Sequence, residues 1–361
     1  MLRYAFGLRR KFIAASLFLV AAAEAQWMPT NTPQGFTPTF LAMNDSNIYA
    51  AHSKGVLLSN DRGMSWLPSR KGLPAGRITA LAIRHVSGGT MLFAGTEREG
   101  IYISIDNGMT WNPVDRAPVV ETEKHATVIG AKAYYGGPTV FSLVVSGKFL
   151  FAGMNFGGVY RSTNNGGSWA PANEGFTSSA PMGPPTITSL AMSAEFLFAG
   201  TTGDGVFLST NNGKEWKGAS NGLPADGRSI YCPINALVSV PKPKRIDGEN
   251  VFAATEGAGI FLTIDDGRRW IPVNNGLRTP VVYSLAAGTV SGTACVFAGV
   301  GDGVYLTTTN GERWTNVTTG MPQTKVYALA VAGDTLYAAV ARNGVWKRAI
   351  AGMAAEVPKK P

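Results

Sequence analysis

Five carboxylates of this chain stand in short polar segments that follow runs of small apolar residues. They are Glu97, Glu99, Asp204, Glu256 and Asp302. Two such groups about 5–10 Å apart, one of them held protonated, are the arrangement that cleaves glycosidic bonds. The chemistry that these residue types favour is therefore glycoside hydrolysis, if the fold brings two of them together.

Aromatic, basic and amide side chains occur in the same segments or near them, and these residue types favour binding. Long irregular segments on a rigid scaffold are common binding sites, and three such segments span residues 115–139, 174–186 and 222–233. The further binding candidates are Arg98, Tyr134, Tyr135, Asn155, Phe156, Tyr231 and Arg342.

Metal, cofactor and nucleotide chemistry find little support in the sequence. The histidines at positions 52, 85 and 125 lack the spacing of a zinc or copper site. The many glycines recur with the repeat described below, whereas a phosphate-binding loop would stand once, ahead of a helix. We therefore expect no cofactor and no bound metal.

A short phrase that recurs six times indicates what positions the candidates. Each copy, here called a repeat turn, begins with Ser or Thr, contains Gly and ends in Trp. The tryptophans of successive copies lie 45, 58, 47, 54 and 44 residues apart, a period typical of four-stranded units. We expect the Gly to supply a positive φ and an Asp or Asn to accept hydrogen bonds from amides two residues on. These bracing residues are Asp61, Asp106, Asn164, Asn211 and Asp265.

The sixth repeat turn has Thr309 at the bracing position and should be held less well. Ahead of the turns, alternating and buried apolar runs predict three more strands per unit. Seven units are present, and the last, residues 326–347, lacks its outer strand. The segment that begins at Trp27 matches the outer strand that begins at Trp270, so it supplies the missing one.

We therefore predict an all-β fold, a seven-bladed β-propeller of four-stranded antiparallel blades, closed by the N-terminal strand completing the last blade. The propeller is expected to span residues 26–348 and to be followed by a tail at 349–361. We expect a monomer. The two cysteines precede strands of neighbouring blades, so a bridge between Cys232 and Cys295 is one prediction and buried free thiols are the alternative.

The repeat turns and the strands before them resemble those of the Asp-box, or BNR-repeat, propellers, over about residues 26–348. That superfamily includes sialidases, xyloglucan-cleaving glycosidases, the sortilin ectodomain and photosystem II assembly-factor propellers. The resemblance implies that the repeat turns occupy one rim. It also implies that the loops between second and third strands, with the connections between blades, gather on the opposite face and carry the candidates.

Residues 1–25 have the features of a secretory signal peptide: a basic head, an apolar stretch at 12–23 and the small-residue cleavage signal Ala23-Glu24-Ala25. We expect export to the periplasm or the exterior, with no transmembrane segment after cleavage. The net charge is +9, yet the longest basic cluster is the short one at 242–245, so we expect no nucleic-acid partner.

Two functional hypotheses follow. The sialidase Arg-Ile-Pro motif is represented only by Arg77-Ile78-Thr79, one blade late and without the proline, and the chain has a single ring where the xyloglucan enzymes have two. The first hypothesis is therefore a non-catalytic binding or assembly propeller that presents its loop-rich face to a protein or peptide. The alternative is a glycoside hydrolase or carbohydrate-binding protein, sialidase-like or xyloglucanase-like, in which aromatic side chains stack on sugar rings.

Overall fold

The computed structural model describes residues 26–44, 47–87, 89–114, 139–178, 183–193, 196–225, 230–240, 249–290, 292–354 and 356–357. In these ranges the chain forms strands β1 to β28 and one short helix, α1 (Ile350–Ala354). The strands build seven antiparallel sheets of four strands each, which are the seven blades.

The N-terminal strand is β1 (Met28–Pro29). From the innermost to the outermost strand, blade 1 consists of β2 (Phe40–Met43), β3 (Ile48–His52), β4 (Gly55–Ser59) and β5 (Leu67–Ser69), and blade 2 of β6 (Ile78–Val86), β7 (Gly89–Thr96), β8 (Ile101–Ser104) and β9 (Asn112–Pro113). In the same order, blade 3 consists of β10 (Val140–Ser146), β11 (Phe149–Met154), β12 (Gly158–Ser162) and β13 (Ala170–Pro171), and blade 4 of β14 (Ile187–Ser193), β15 (Phe196–Thr201), β16 (Val206–Ser209) and β17 (Lys217–Gly218). Blade 5 consists of β18 (Ile234–Val240), β19 (Asn250–Thr255), β20 (Ile260–Thr263) and β21 (Ile271–Pro272), and blade 6 of β22 (Val282–Val290), β23 (Thr293–Val300), β24 (Gly303–Thr307) and β25 (Thr315–Asn316). Blade 7 consists of β26 (Val326–Ala332), β27 (Thr335–Val340), β28 (Gly344–Ala349) and β1.

The ring closes as predicted. Strand β1 pairs antiparallel with β28, with Met28 opposite Lys347 and Pro29 opposite Trp346. Each inner strand contacts the inner strand of the next blade, and β26 of blade 7 contacts β2 of blade 1. Because the first and last segments complete one sheet, the outer edge of β28 is paired at the point of closure.

Small residues in the second strands let neighbouring blades approach closely. A Cβ on Gly95 would lie 2.7 Å from Val140 of the next blade, and a Cβ on Gly200 would lie 2.6 Å from Ile234. Real side chains do not approach this closely, so glycine is required where these strands meet the following blade. The apolar positions of the first three strands fill the space between blades, where most of the core lies.

Tryptophans of the outer strands join blades 3 to 7 to one another. Four of them donate the indole N–H to a backbone carbonyl of the preceding blade, with N···O distances of 2.7 or 2.8 Å: Trp216 to Ala172, Trp270 to Ala219, Trp314 to Val273 and Trp27 to Val317. The acceptor lies three residues after the preceding blade's own tryptophan in each case. Burying such a ring and satisfying its N–H stabilises a blade interface more than burial alone.

Blades 1 to 3 depart from this pattern. Trp111 donates to the Ser69 hydroxyl at 3.2 Å, and Trp169 donates to the carbonyl of Gly166 in its own turn at 3.1 Å. The buried indole nitrogen of Trp66 has no hydrogen-bond partner among the described residues. The interfaces on this side of the ring are therefore held by different contacts.

The repeat turns are braced, but by a different amide from the one predicted. Asp106 accepts from the amide of Thr110, four residues on and not two, at 2.9 Å. The Ser104 hydroxyl donates to Asp106 at 2.8 Å and accepts from the amide of Gly108 at 2.9 Å. Both Asn107 and Gly108 have a positive φ, 57° and 84°, so the turn is a two-residue left-handed bend that needs the longer reach.

The sixth repeat turn keeps this geometry with longer bonds. Thr309 accepts from the amide of Arg313 at 3.3 Å, and its hydroxyl lies 3.3 Å from that of Thr307. The corresponding distances around Asp265 are 3.0 and 2.7 Å. The shorter threonine side chain has one hydroxyl where the other turn has a carboxylate, which accounts for the longer hydrogen bonds at Thr309.

Regular structure continues past the predicted boundary at residue 348. Ala349 belongs to β28, and α1 buries Ile350 and Met353 in the core of blades 6 and 7. Both cysteines are free thiols. Cys232 precedes an inner strand at one end of the blades, whereas Cys295 pairs with Gly288 near the opposite end, so they are too far apart to bond.

Candidate functional site

Strand direction places those predicted binding candidates that the structure describes at one end of the sheets. Antiparallel pairing puts the repeat turns and the hairpins between first and second strands at one end. The loops between second and third strands lie at the other end, together with the residues that lead into each inner strand. We call this second end the loop face and the first the repeat-turn face.

Three candidates occupy the first position of their loops, beside the channel enclosed by the inner strands. The backbone amides of Glu97, Asn155 and Glu256 each donate to the carbonyl of the residue just before the inner strand of the same blade, at 2.9 to 3.1 Å. The Thr139 hydroxyl also donates to the carbonyl of Glu97. These backbone bonds fix where the three side chains begin, at the mouth of the channel.

Among the described residues, Phe156 is the large apolar side chain that the loop face exposes most. It is 62% exposed and has a φ of 52°, a left-handed conformation that bulky residues rarely adopt. Its amide donates to the Thr186 hydroxyl at 3.0 Å, and Asn173 donates to the carbonyl of Gly157 at 3.0 Å. The loop is thus held from both sides in a conformation that keeps an aromatic ring in solvent.

Other candidates lie farther from the channel, near the start of the third strands. The amides of Glu99 and Asp204 donate to the hydroxyls of Thr96 and Thr201, each at 2.8 Å. Asp302 accepts from the Tyr305 hydroxyl at 3.1 Å. The candidate carboxylates therefore divide between an inner and an outer position, on blades 2, 4, 5 and 6.

A groove of about 380 Å³ in blade 4 brings two of the candidates together. The backbone of Tyr231 is held by a hydrogen bond of 2.8 Å from its amide to Gly203 and by a β-bridge to Ala225. The groove is lined by Thr177, Asp204, Phe207, Gly218, Ser220, Asn221 and Tyr231. An aromatic ring therefore lies beside a carboxylate and a side-chain amide.

The inner strands carry a feature that sequence reasoning missed. Six of them have a β-bulge near the loop face, at Thr79, Phe141, Thr188, Asn235, Tyr283 and Tyr327. Thr79, Thr188 and Asn235 use their side chains to bond a carbonyl of the next blade, at 2.6 to 3.0 Å. The aromatic residues at the other three positions make no such bond, so their rings remain available to line the channel.

Two of these aromatic residues form a cluster with a cation. The rings of Tyr283 and Tyr327 meet edge to face with centroids 5.8 Å apart, and Lys325 Nζ lies 5.6 Å from the centre of the Tyr283 ring. The amide of Ala341 donates to the Lys325 carbonyl at 2.9 Å, so the loop that carries Arg342 adjoins the cluster. Tyrosine stands here in blades 6 and 7, at the bulge position where blades 2, 4 and 5 have Thr or Asn.

The remaining candidates are exposed or lie outside the described residues. Arg98 and Arg342 are exposed at loop tips, and Arg342 has a φ of 62°. Tyr134 and Tyr135, with most of the long segment at 115–139, lie outside the described residues, as do the basic cluster at 242–245 and residues 1–25.

Titratable groups on the loop face form no described metal centre. Within the described ranges, no three His, Cys, Asp or Glu side chains are placed to hold a metal ion. His52 packs edge-on against Phe36, and burial, with the cations Lys54 and Arg70, lowers its pKa below the usual 6.5. His52 and His85 lie near opposite ends of their blades. The described part of the chain also contains no helix of the length and apolarity that crossing a membrane requires.

No protein-family model and no curated protein sequence matches the chain. Among solved structures it is similar to YCF48 bound to D1 peptide, with 15% identity, a TM-score of 0.62 and coverage of 90% of this chain and 96% of that chain. It is also similar to YCF48 from Cyanidioschyzon merolae, with 13% identity, a TM-score of 0.61 and coverage of 90% and 99%.

A third similar structure is the extracellular domain of BT4673 from B. thetaiotaomicron, with 15% identity and a TM-score of 0.61. The match covers 89% of this chain and 40% of that chain. At such identities the likeness establishes the propeller fold. Membership in the Asp-box superfamily stays a prediction.

Proposed function

We propose that this chain is an exported, non-catalytic binding propeller whose loop face holds a protein or peptide partner. The observation that carries the proposal is Phe156, an exposed aromatic ring on a loop that two neighbouring segments hold in a left-handed conformation. A rigid aromatic side chain loses little conformational freedom when a partner covers it, which is why such residues dominate binding energies.

The channel mouth supplies the second element of the proposed site. Tyr283 and Tyr327 offer ring faces and hydroxyls, and Lys325 and the exposed Arg342 add positive charge. Aromatic and cationic groups around a concave mouth suit an extended peptide with apolar and acidic side chains. The solved YCF48 complex supports this reading, because that propeller of similar fold is bound to a peptide.

Export is part of the proposal and rests on residues 1–25. Cleavage after Ala25 would leave Gln26 as the first residue, directly before the buried Trp27 and closing strand β1. N-terminal sequencing of the protein recovered from its native host tests this: a start at Gln26 is expected, and an intact Met1 would contradict it.

The binding proposal is tested by selecting peptides from a displayed random library on the purified protein. Phe156→Ala and Tyr283→Ala should each weaken binding of the selected peptides at least tenfold, since each removes an anchor of the kind that dominates interfaces. Ile105→Ala is the matched control, because Ile105 is 74% exposed in a repeat turn. Equal binding by all variants, or no selection of any peptide, would contradict the proposal.

Carbohydrate binding is the second candidate function, and the groove in blade 4 favours it. Tyr231 beside Asp204 and Asn221 provides a ring for stacking and polar groups for sugar hydroxyls. A glycan array distinguishes the two: sugar binding that Tyr231→Ala abolishes would favour this candidate. Hydrolysis of sialosides or β-glucans that is lost in Glu97→Gln, Glu256→Gln or Asp302→Asn would instead establish a glycoside hydrolase.

A further inference from the structure

A second groove, of about 490 Å³, lies at the outer edge of the ring where the connection from blade 5 meets blade 6. Its walls come from that connection, from the third strand of blade 6 and from the residues around its outer strand. The lining residues are Asn275, Gly276, Arg278, Tyr305, Arg313, Trp314, Thr315 and Asn316.

Two arginines stand on opposite walls of this groove. Arg278 belongs to the connection and Arg313 to the end of the sixth repeat turn, and both are exposed. The walls are tied together, because the amide of Trp314 donates to the Asn275 carbonyl at 2.8 Å and the Asn275 side chain donates to the Glu312 carbonyl at 3.1 Å. Two guanidinium groups are therefore carried on one rigid frame.

The Asp302 carboxylate binds the Tyr305 hydroxyl through one oxygen, and its buried Oδ1 has no hydrogen-bond partner among the described residues. Asp302 does not line the groove and accepts from the Tyr305 hydroxyl at 3.1 Å. Burial raises the pKa of Tyr305, so this hydroxyl keeps its proton and can go on donating. No ion pair between either arginine and a carboxylate is present among the described residues.

The groove of blade 4 shows that the fold does not require these arginines. It is built from the equivalent segments, with the amide of Trp216 donating to the Glu174 carbonyl at 2.9 Å as Trp314 does to Asn275. Thr177 lines that groove at the position equivalent to Arg278, and Glu215 occupies the position equivalent to Arg313 in the repeat turn of blade 4. The same frame thus forms without either cation.

We propose that the blade 6 groove binds an oxyanion of the phosphate or sulfate type. The planar guanidinium groups of Arg278 and Arg313 can each donate two parallel hydrogen bonds to two oxygens of such a group. Bidentate hydrogen bonds between opposite charges are among the strongest that proteins form. The volume exceeds that of a single oxyanion, and the Thr315 hydroxyl, which has no hydrogen-bond partner among the described residues, remains for a hydroxyl of a larger phosphorylated molecule. Because both arginines are exposed to water, the affinity is on the order of millimolar.

Calorimetric titration with inorganic phosphate, glucose 6-phosphate and glucose tests this site. The double variant Arg278→Thr/Arg313→Glu installs the residues of blade 4, which are compatible with the frame. It should weaken binding of both phosphate probes by roughly tenfold or more. The control Arg268→Thr/Arg269→Glu makes the same change of charge on the neighbouring repeat turn and should leave binding within about twofold.

The relative affinities identify the source of the oxyanion. Glucose 6-phosphate binding more tightly than phosphate would point to a phosphorylated molecule, and equal binding to free phosphate. Absence of saturable binding of either phosphate probe, binding of glucose alone, or equal loss in both double variants would overturn the proposal. This site lies away from the channel mouth, so peptide binding and phosphate binding can fail independently.

Discussion

The two faces of the propeller differ in how far their residues repeat from blade to blade. On the repeat-turn face, a hydroxyl residue and a glycine recur in six blades, and five of the six copies keep an Asp or Asn acceptor with nearly the same hydrogen bonds. On the loop face, by contrast, the first loop positions hold residues as different as Glu97, Asn155 and Ala341. Recurrence around a ring indicates a role in holding each blade together, whereas variation on a fixed frame leaves side chains for a ligand.

Substitutions at the tryptophans of the outer strands should have the largest effect on stability. Trp270 is 1% exposed and donates to Ala219 of the preceding blade, so Trp270→Ala should lower the free energy of unfolding by about 3–5 kcal/mol. Trp270→Phe keeps most of the apolar surface and leaves the carbonyl unpaired, at a cost of about 1–3 kcal/mol. Both losses are measured by urea denaturation.

Trp66→Phe is the matched control, because the Trp66 indole nitrogen is buried without a partner. Its stability should lie within about 0.5 kcal/mol of the parent or above it. A loss at Trp66 equal to that at Trp270 would show that the hydrogen bond between blades contributes nothing.

The sixth repeat turn offers a smaller change in the opposite direction. Thr309→Asp restores the acceptor of the other copies, where the distance from the following amide is 3.0 Å at Asp265 and 3.3 Å at Thr309. We expect a gain of about 0.5–1.5 kcal/mol, the net value of a hydrogen bond. Thermal unfolding of the variant measures it, and a fall in the melting temperature would contradict the role given to the bracing residue.

Acid titration should reveal the smallest effect. Hydrogen bonds from Ser65, by side chain and backbone, lower the pKa of Asp61 from 3.8 to about 2. The ionised form is favoured in the folded chain, so its contribution is complete above the unfolded pKa near 3.8 and disappears as the pH falls through about 2.

Asp61→Asn should reduce the change in the free energy of unfolding between pH 3.8 and about pH 2. The asparagines at positions 164 and 211 already brace their turns without a titrating group. Denaturation at pH 5 and at pH 3 measures the difference. An unchanged dependence on pH in the variant would show that Asp61 does not couple to folding.

The repeated sequence made the fold predictable, whereas most of the candidate site could not be predicted from the sequence. Tryptophan spacing determined the blade count, and the match between the Trp27 and Trp270 segments predicted the closing strand that pairs Met28 with Lys347. The strand order also brought the predicted loop residues to one end. Each of these features depends on residue types that recur, so one copy informs the next.

The missed features depend on geometry that residue types do not encode. The inner-strand bulges hold side chains as different as Thr79, Asn235 and Tyr283, so no shared residue marks them. The exposure of Phe156 depends on the hydrogen bond from its amide to Thr186 and on the one from Asn173 to Gly157, and both partners lie in other segments of the chain. Loops that occur once have no second copy from which their conformation can be predicted.

The most direct test of the account measures peptide affinity and melting temperature together for one variant of each face. Phe156→Ala should lose at least tenfold in affinity with the melting temperature unchanged, because its ring lies in solvent. Trp270→Phe should melt several degrees lower and, while still folded, bind peptide as the parent does. Loss of affinity in Trp270→Phe with none in Phe156→Ala would contradict the division of roles between the two faces.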